Sequence, residues 1–357
     1  MKITKLLSFL FLTAFCNALF TSCDKKEEIT PTSVINTGLY VLNQGNYKSN
    51  NASLTYFDFT TRLPYDIFNA KNNRDLGDTG QDMLQYGSKI YIAMYQSSII
   101  EIINAKTAVS IKTIPMLNGL NMPSLPRSLT CCNGKVYITL YDGHVARLDT
   151  ITLIIDKTIA VGSNPEGSVI ANNNLYVANS GGMNIQKDST ISVINLNTFT
   201  QERKINVVIN PVILKADKYG DLYVISMGNY STIPYTFQYI NGVTEKVTSV
   251  PEVKAFNLAI DEDKAYIYYY DWATGTKKFS IYDVKNKKVL NLDFLPADAI
   301  AKTPYSIDVD PVTKDIFIGE TDYTNTGKMY CFSKAGILKY TFNTGLNPVK
   351  TIFISNN

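Results

Sequence analysis

Aromatic and amide side chains concentrate in the polar stretches that follow strand-like runs of the chain. Asn46 and Tyr47 lie in one such stretch, and the only tryptophan, Trp272, lies in another. Flat aromatic rings beside amide groups suit a large and mostly uncharged ligand with many hydrogen-bonding edges. We therefore predict a ligand-binding surface that contains Asn46, Tyr47, Arg74, Tyr95, Tyr141, Asn179, Tyr230, Tyr235, Trp272 and Tyr323. Packing between structural repeats is the alternative interpretation for any single tyrosine, and pairing with Asp75 or Asp78 is the alternative for Arg74.

Side chains suited to acid–base or metal chemistry are scarce. The only histidine, His144, lies in a short turn with no second histidine in the sequence to act with it. The acidic runs at 261–263 and 308–310 lack the glycine spacing of a calcium loop, so we interpret both as solvated turns. The three cysteines that follow residue 23 have the spacing of neither a zinc site nor a disulfide framework. We therefore predict no catalytic residue, no metal and no cofactor.

The composition favours strands and gives no sign of a nucleic-acid partner. The chain has 24 Tyr and 16 Phe, and only 18% of its 357 residues are charged, which is typical of strands rather than helices. Lys and Arg total 34 against 31 Asp and Glu, and loss of Lys2 and Lys5 with residues 1–22 would bring the formal charge from +3 close to +1. Such a near-neutral surface lacks the electrostatic footprint of nucleic-acid binding.

A short pattern recurs seven times along the chain and indicates the fold. A turn residue, an apolar residue, an aromatic residue and a β-branched residue follow one another, with the aromatic at Tyr40, Tyr91, Tyr137, Tyr176, Tyr223, Tyr266 and Phe317. The mean spacing of these aromatics is about 46 residues, between the periods of two known propeller repeats. Each copy is followed by two further strand-like runs and a Pro- or Gly-marked link to a fourth. Seven units of four strands, with no helical periodicity, predict an all-β, seven-bladed β-propeller.

The two ends of the chain predict how the propeller closes. The first tyrosine strand, at 39–42, has no Pro-led strand before it, and the last Pro-led strand, at 348–355, has no tyrosine strand after it. Pairing of the two would complete one blade from both termini and leave no unpaired edge. We therefore predict a clasp between the N-terminal and C-terminal strands in a propeller spanning residues 37–357.

The first 36 residues predict export and lipid anchoring. Lys2 and Lys5 precede a short apolar run and then small residues before Cys23, the pattern of a secretory signal peptide over residues 1–22. The sequence before Cys23 resembles the bacterial lipobox, which implies cleavage before this cysteine and lipidation of its thiol. Residues 23–36 would then form a lipidated tether. Its charged start, at 24–28, resembles the export signal of Bacteroidetes surface lipoproteins, and a solvated tether facing the periplasm is the alternative.

The repeats resemble a known family of propellers. The runs Leu175-Tyr176-Val177-Ala178-Asn179 and Ile191-Ser192-Val193-Ile194-Asn195 resemble the blade signature of the YncE-like seven-bladed propellers. The first blade, including residues 42–47 and 76–81, is more similar to the propeller lipoproteins of gut Bacteroidetes that are described as surface-layer proteins. Some of those proteins capture vitamin B12 and related corrinoids and cap a TonB-dependent outer-membrane transporter. The resemblance thus implies an outer-membrane, surface-exposed lipoprotein with a corrinoid as its small-molecule ligand and such a transporter as its partner.

Two other function classes are compatible with the sequence. Propellers also host calcium-dependent lactonases and lyases, but that chemistry requires a metal cage or a histidine base. We expect no cluster of acids along the inner channel of this propeller, which argues against an enzyme. A structural or adhesive surface protein is the third interpretation.

Overall fold

The computed structural model describes residues 35–355, and within this range the chain forms seven four-stranded antiparallel sheets. The predicted seven-bladed, all-β propeller is thereby confirmed. The innermost strands of neighbouring blades contact one another in a closed ring around a central channel. Cys23, the signal peptide and nearly all of the predicted tether lie outside the described residues. No helix within residues 35–355 is long and apolar enough to cross a membrane.

The first blade combines strands from both ends of the chain. Its three N-terminal strands are β1 (Asn36–Asn43), β2 (Ser53–Asp58) and β3 (Pro64–Asp66), which is followed by the helix α1 (Ile67–Asn72). Blades two to four contain, each from the channel outward, β4 (Gly80–Tyr86), β5 (Lys89–Met94), β6 (Ile99–Asn104) and β7 (Ser110–Pro115); β8 (Pro126–Cys132), β9 (Lys135–Leu140), β10 (His144–Asp149) and β11 (Ile155–Ala160); and β12 (Pro165–Ala171), β13 (Asn174–Asn179), β14 (Thr190–Asn195) and β15 (Thr200–Asn206).

The remaining blades repeat the same order. Blades five to seven contain β16 (Pro211–Ala216), β17 (Leu222–Ser226), β18 (Thr236–Ile240) and β19 (Val247–Ser249); β20 (Asn257–Asp261), β21 (Lys264–Tyr270), β22 (Lys277–Asp283) and β23 (Lys288–Asn291); and β24 (Thr303–Val309), β25 (Ile316–Thr321), β26 (Lys328–Phe332) and β27 (Leu338–Asn343). The last strand, β28 (Pro348–Ser355), is the innermost strand of blade one.

The core lies between the faces of neighbouring blades. The recurring aromatic pattern forms the second strand of every blade, and this strand is buried on both faces; in β5 every residue after Lys89 is buried. Tyr40 of β1 packs in one cluster with Ile90 and Ile92 of β5, and its hydroxyl donates to the carbonyl of Ala105. Each such apolar side chain stabilises the fold by about 1.5–3 kcal/mol, so the interfaces between blades hold the ring together.

The predicted clasp is present. β28 pairs antiparallel with β1 along its whole length, and Asn36 Nδ2 donates to Asp310 Oδ1 at 2.6 Å. The C-terminal strand therefore closes the inner ring, while the N-terminal strand supplies the second strand of the same blade. This arrangement leaves no gap between the seventh blade and the first.

One short helix departs from the expectation of an all-strand chain. α1 begins after Asp66, whose side chain accepts a hydrogen bond from the amide of Asn69, and ends at Asn73 in the left-handed conformation. Six residues are too few to produce a periodic apolar pattern, so the sequence could not reveal it. The helix follows a three-residue outer strand and packs Phe68 into the interface between blades one and two.

A bulge near the start of the inner strands positions the side chains of the channel mouth. In six of the seven inner strands the pairing register skips a residue just after the leading Pro or Gly. Such a bulge re-aims the side chain that it frees. The residues at these positions are Gln81, Arg127, Glu166, Val212, Tyr305 and Val349.

Candidate functional site

The hairpins that follow the second strand of each blade lie on one face of the propeller, together with the links between blades. On this face, which we call the mouth, a cavity of about 260 Å³ opens at the end of the central channel. Blades three to six line it, and the lining includes Arg127, Tyr141, Glu166, Tyr230, Tyr235, Phe256 and Trp272. Three predicted tyrosines and the predicted tryptophan therefore share one cavity.

One half of the mouth is a continuous chain of aromatic rings. The ring centroids of Tyr230 and Tyr235 are 6.4 Å apart, and that of Phe256 is 5.9 Å from Tyr235. Trp272 follows at 6.3 Å from Phe256, and Tyr323 at 5.7 Å from Trp272. Trp272 is 51% exposed and Tyr230 is 63% exposed, although both belong to an aromatic cluster. Large rings held in fixed positions yet left open to solvent form a stacking surface.

The other half of the mouth is a chain of hydrogen bonds. The Tyr305 hydroxyl donates to Gln44 Oε1, and Gln44 Nε2 donates to Gln81 Oε1 at 3.3 Å. Arg127 Nη1 donates to the same Gln81 oxygen at 2.9 Å, while its Nε donates to Glu166 Oε2 at 2.7 Å. The chain thus runs from blade seven through blades one, two and three to blade four. It presents amide and charged edges opposite the aromatic half.

Arg127 is held by aromatic faces as well as by its carboxylate. Its guanidinium carbon lies 4.9 Å from the ring centroid of Tyr95 and 5.2 Å from that of Tyr141. Burial lowers the pKa of Arg127, but the Glu166 carboxylate outweighs this effect and the pKa is raised overall. Burial raises the pKa of Glu166 despite the adjacent guanidinium, and it raises that of Tyr141 to about 12. The charge of Arg127 is therefore compensated within the protein, and the mouth suits a ligand without strong charge.

The predicted residues of the first blade lie on the same face but do not line the cavity. Tyr47 is 60% exposed, and Lys48 Nζ lies 5.2 Å from its ring centroid. Asn46 Oδ1 accepts a hydrogen bond from Asn347 Nδ2 at 3.4 Å. Both residues belong to the loop that carries Gln44, so they flank the hydrogen-bonded half of the mouth.

Two residues predicted to bind the ligand, Asn179 and Arg74, lie away from the cavity. Asn179 is fully buried at the end of β13, where its Nδ2 donates to Thr190 and Ser192 and its Oδ1 accepts from the amide of Gly162. Its side chain therefore stabilises the hairpin between β13 and β14 and is not accessible to a ligand in this structure. Arg74 lies between blades one and two, where Nη2 donates to the buried Glu101 carboxylate at 2.8 Å. Its guanidinium forms no ion pair with the carboxylate of Asp75 or of Asp78, and the residue does not line the cavity.

Below the mouth the channel widens into a second cavity of about 370 Å³, which shares Arg127 and Glu166 with the first. Besides that shared pair, four charged side chains from inner strands line it: Asp82, Lys215, Asp308 and Lys350. The channel therefore carries acidic side chains, but within residues 35–355 they form no group of three or more that could hold a metal ion. The interpretation of 308–310 as a solvated turn is wrong, because Asp308 and Asp310 are both buried. Asp308 accepts a hydrogen bond from Lys350 Nζ at 2.6 Å.

The described residues offer no constellation for metal binding. Within residues 35–355 no group of three or more His, Cys, Asp or Glu side chains is placed to hold a metal ion. His144 Nδ1 lies 3.0 Å from Asp142 Oδ1 in an exposed turn. The cysteines at 131, 132 and 331 are free thiols.

Sequence reasoning missed the hydrogen-bonded half of the mouth and the channel charges. The missed mouth residues are Gln44, Gln81, Arg127, Glu166, Phe256 and Tyr305. A signal for several of them is present, because Arg127, Glu166 and Tyr305 each directly follow a proline at the first or second position of an inner strand. Alignment of the six Pro- or Gly-marked strand starts places these residues at one level of the channel.

The fold and the mouth define a seven-bladed β-propeller with an aromatic and amide-lined opening on one face. The chain belongs to the DUF5074 family, a domain of unknown function, whose model matches residues 37–356. Comparison with curated proteins finds no sequence match.

Solved structures with the same fold are distant in sequence. A quinoprotein alcohol dehydrogenase-like protein from Bacteroides thetaiotaomicron is 14% identical with a TM-score of 0.65, covering 90% of this chain and 79% of that chain. A Bacteroides uniformis protein provisionally named a 6-phosphogluconolactonase is 13% identical with a TM-score of 0.64, over 89% of this chain and 100% of that chain. Hydrazine synthase from Kuenenia stuttgartiensis is 17% identical with a TM-score of 0.59, over 73% and 85%. At these identities the likeness concerns the fold alone.

Proposed function

We propose that this protein is a binding protein that captures a large, amide-edged ligand at the mouth of its propeller. The observation that carries the proposal is the pairing of a half-exposed aromatic chain with a hydrogen-bonded amide and ion-pair chain across one opening. The aromatic half would cover an apolar face of the ligand, and the polar half would meet its edges. Aromatic contacts of this kind contribute about 0.5–1.5 kcal/mol each beyond area burial.

A corrinoid is the ligand class that we propose. A corrinoid presents a broad macrocycle with amide groups along its edge, and Tyr or Trp rings can cover such a surface while Gln and Asn side chains pair with the amides. The resemblance of the first blade to corrinoid-capturing lipoproteins supports the same class. Because Arg127 is already paired with Glu166, the mouth does not require a charged ligand.

The size of the cavity constrains how such a ligand would bind. Pockets that enclose a drug-sized ligand measure about 300–1,000 Å³, whereas the mouth cavity measures about 260 Å³. A corrinoid is larger than a drug-sized molecule. We infer that only one edge or side group would enter the cavity and that the macrocycle would lie across the rim, against Trp272 and Tyr230.

Calorimetry with cyanocobalamin tests this proposal. Wild-type protein should bind at micromolar concentrations or below, and Trp272→Ala should weaken binding by about tenfold or more, since aromatic anchors dominate many binding surfaces. Tyr219→Ala is the matched control, because Tyr219 is 47% exposed but lies in the β16–β17 turn on the opposite face. The absence of heat with both cyanocobalamin and cobinamide would refute the corrinoid proposal.

We also propose that the protein is a surface lipoprotein anchored through Cys23, which delivers its ligand to a TonB-dependent transporter. The support is the lipobox-like sequence before Cys23 and the charged tether that follows it. Protease added to intact cells should remove the protein, and Cys23→Ala should abolish its labelling by a radioactive fatty acid. Full-length protein that survives on intact cells and is digested only after lysis would place it on the periplasmic side.

A further inference from the structure

The four charged side chains of the lower channel occupy two adjacent levels of the inner ring. Asp82 and Lys350 pair in register with Ala93 and Leu42, each two residues beyond the central aromatic of its second strand. Lys215 and Asp308 pair with the central aromatics themselves, Tyr223 and Phe317. Lys215 belongs to blade five, which faces blades one and two across the sevenfold ring. Its ammonium therefore points into the channel from the wall opposite Lys350 and Asp82.

The carboxylates of this cluster already have partners. Asp82 accepts from the amides of Met83 and Leu129, both at 2.8 Å, with one carboxylate oxygen for each. Asp308 accepts from Lys350 Nζ at 2.6 Å and from the amide of Thr351 at 2.8 Å. Each of the four carboxylate oxygens of Asp82 and Asp308 thus accepts a hydrogen bond from a group on its own side of the channel.

The two lysines have N–H donors that no hydrogen bond uses. Within residues 35–355 the Lys215 ammonium makes no hydrogen bond or ion pair, and the Lys350 ammonium uses one of its three N–H donors, for Asp308. The acids that line the channel are Asp82, Glu166 and Asp308, and among the described residues none of them forms an ion pair with Lys215. The Lys215 side chain is only partly buried and lines the channel cavity, so its three N–H donors are open to an acceptor that enters the channel. Within the described part of the chain, the wall of the channel therefore offers the Lys215 ammonium no hydrogen-bond acceptor of its own.

We propose that the lower channel is a binding site for an oxyanion, of the phosphate or carboxylate type, held between Lys215 and Lys350. The cavity of about 370 Å³ accommodates such a group together with water molecules. Charge-assisted hydrogen bonds from two ammonium groups suit its several oxygens. The anion reaches the site from the mouth, since the two cavities share Arg127, Glu166 and Val212. The site is independent of the ligand proposed for the mouth, because no mouth aromatic takes part in it.

The charge balance of the cluster supports this assignment. Burial lowers the pKa of Lys350, but Asp308 and Asp82 outweigh that effect, so this lysine keeps its charge. Burial and the facing Lys350 ammonium lower the pKa of Lys215, against the smaller opposite effects of Asp82 and Asp308. An anion placed between the two lysines would remove their mutual repulsion and favour the charged form of Lys215.

Thermal unfolding and calorimetry with inorganic phosphate, without any corrinoid, test the proposal. The comparison solutions are sodium acetate and sodium chloride at equal ionic strength and pH 7. Phosphate, acetate or both should raise the unfolding temperature beyond the effect of chloride, and the stronger of the two identifies the group that the site prefers. Lys215→Met should weaken binding by about tenfold to a hundredfold, the loss expected for charge-assisted hydrogen bonds.

Two further variants make the result unambiguous. Lys204→Met removes an exposed lysine from the outer strand of blade four and should leave the anion response unchanged. Lys215→Arg keeps a cation in the channel and should retain part of the response. The proposal is overturned if neither phosphate nor acetate exceeds chloride with wild-type protein. It is equally overturned if Lys215→Met responds as strongly as Lys204→Met.

Discussion

Arg127 and Glu166 join the inner strands of two neighbouring blades at the channel mouth, with Arg127 Nε 2.7 Å from Glu166 Oε2. Both residues directly follow a proline, and both are freed from regular pairing by a bulge. Their side chains are 19% and 9% exposed, so water screens the pair only partly. This ion pair fixes the polar half of the mouth, because Arg127 also carries the hydrogen bond to Gln81.

Loss of the guanidinium should be costly because it leaves the Glu166 carboxylate buried without its partner. We expect Arg127→Met to lower the free energy of unfolding by about 3 kcal/mol, and the double variant with Glu166→Gln to recover much of it. Burial holds the pKa of Glu166 above its ordinary value, so protonation in the folded variant relieves the penalty at low pH. The stability of Arg127→Met should therefore fall as pH rises through that pKa. Urea denaturation between pH 4.5 and 8 measures this, and a pH-independent loss would contradict it.

Lys215 should reduce the stability of the protein when the channel holds no anion. Its folded-state pKa is lowered by burial and by Lys350, so the unfolded chain binds the proton more tightly. The penalty is present below the folded-state pKa and is lost as pH rises through it. At pH 7 in chloride, Lys215→Met should therefore be more stable than wild type by about 1 kcal/mol or more. The difference should shrink toward pH 10, and a variant less stable than wild type at pH 7 would contradict this account.

Asn179 should matter for stability rather than for binding. Its side chain makes three hydrogen bonds inside the fold and is fully buried. Asn179→Ala leaves the amide of Gly162 without its acceptor, and we expect a loss of about 2 kcal/mol in the free energy of unfolding. The affinity of the folded variant for cyanocobalamin should equal that of wild type. If the variant has normal stability but a much lower affinity for cyanocobalamin, Asn179 contributes to the binding surface and this prediction is wrong.

The clasp should be essential for folding. Deletion of residues 348–357 removes β28 and exposes the inner edge of β1. It also removes the hydrogen bond from Lys350 to Asp308. We expect the truncated protein to lose its cooperative thermal transition and the β-sheet signal in circular dichroism. Deletion of residues 356–357 alone, which leaves β28 intact, is the control. A truncated protein that keeps a sharp transition would show that the other six blades fold without closure.

The sequence predicted the blades well because each second strand is buried between two neighbours. That burial requires an unbroken apolar run with a central aromatic, as at Ile90, Tyr91 and Ile92, and the run recurs seven times. The hydrogen-bonded half of the mouth could not be predicted in the same way. Arg127 and Glu166 are single polar residues in different repeats, 39 positions apart, and only the packing of blade three against blade four brings them together.

The same reason explains why two of the predicted site residues lie away from the cavity. Arg74 and Asn179 have the residue types of a binding surface, but their partners, Glu101 and Ser192, come from other strands whose register the sequence does not fix. The half-exposed aromatics were easier to predict, because the hairpins that carry them follow the second strand of each blade. Trp272 and Tyr323, for example, come from neighbouring blades and lie 5.7 Å apart.

The central claim, that a corrinoid occupies the mouth, is tested most directly through the fluorescence of Trp272. The chain has only one tryptophan, so its indole emission reports on this one position of the mouth. Titration with cyanocobalamin should quench the emission along a saturable curve with the same affinity as calorimetry gives. N-acetyltryptophanamide in the same titration corrects for light absorbed by the ligand. Emission that follows this free indole compound, without any saturable component, would contradict the proposal that the ligand covers Trp272.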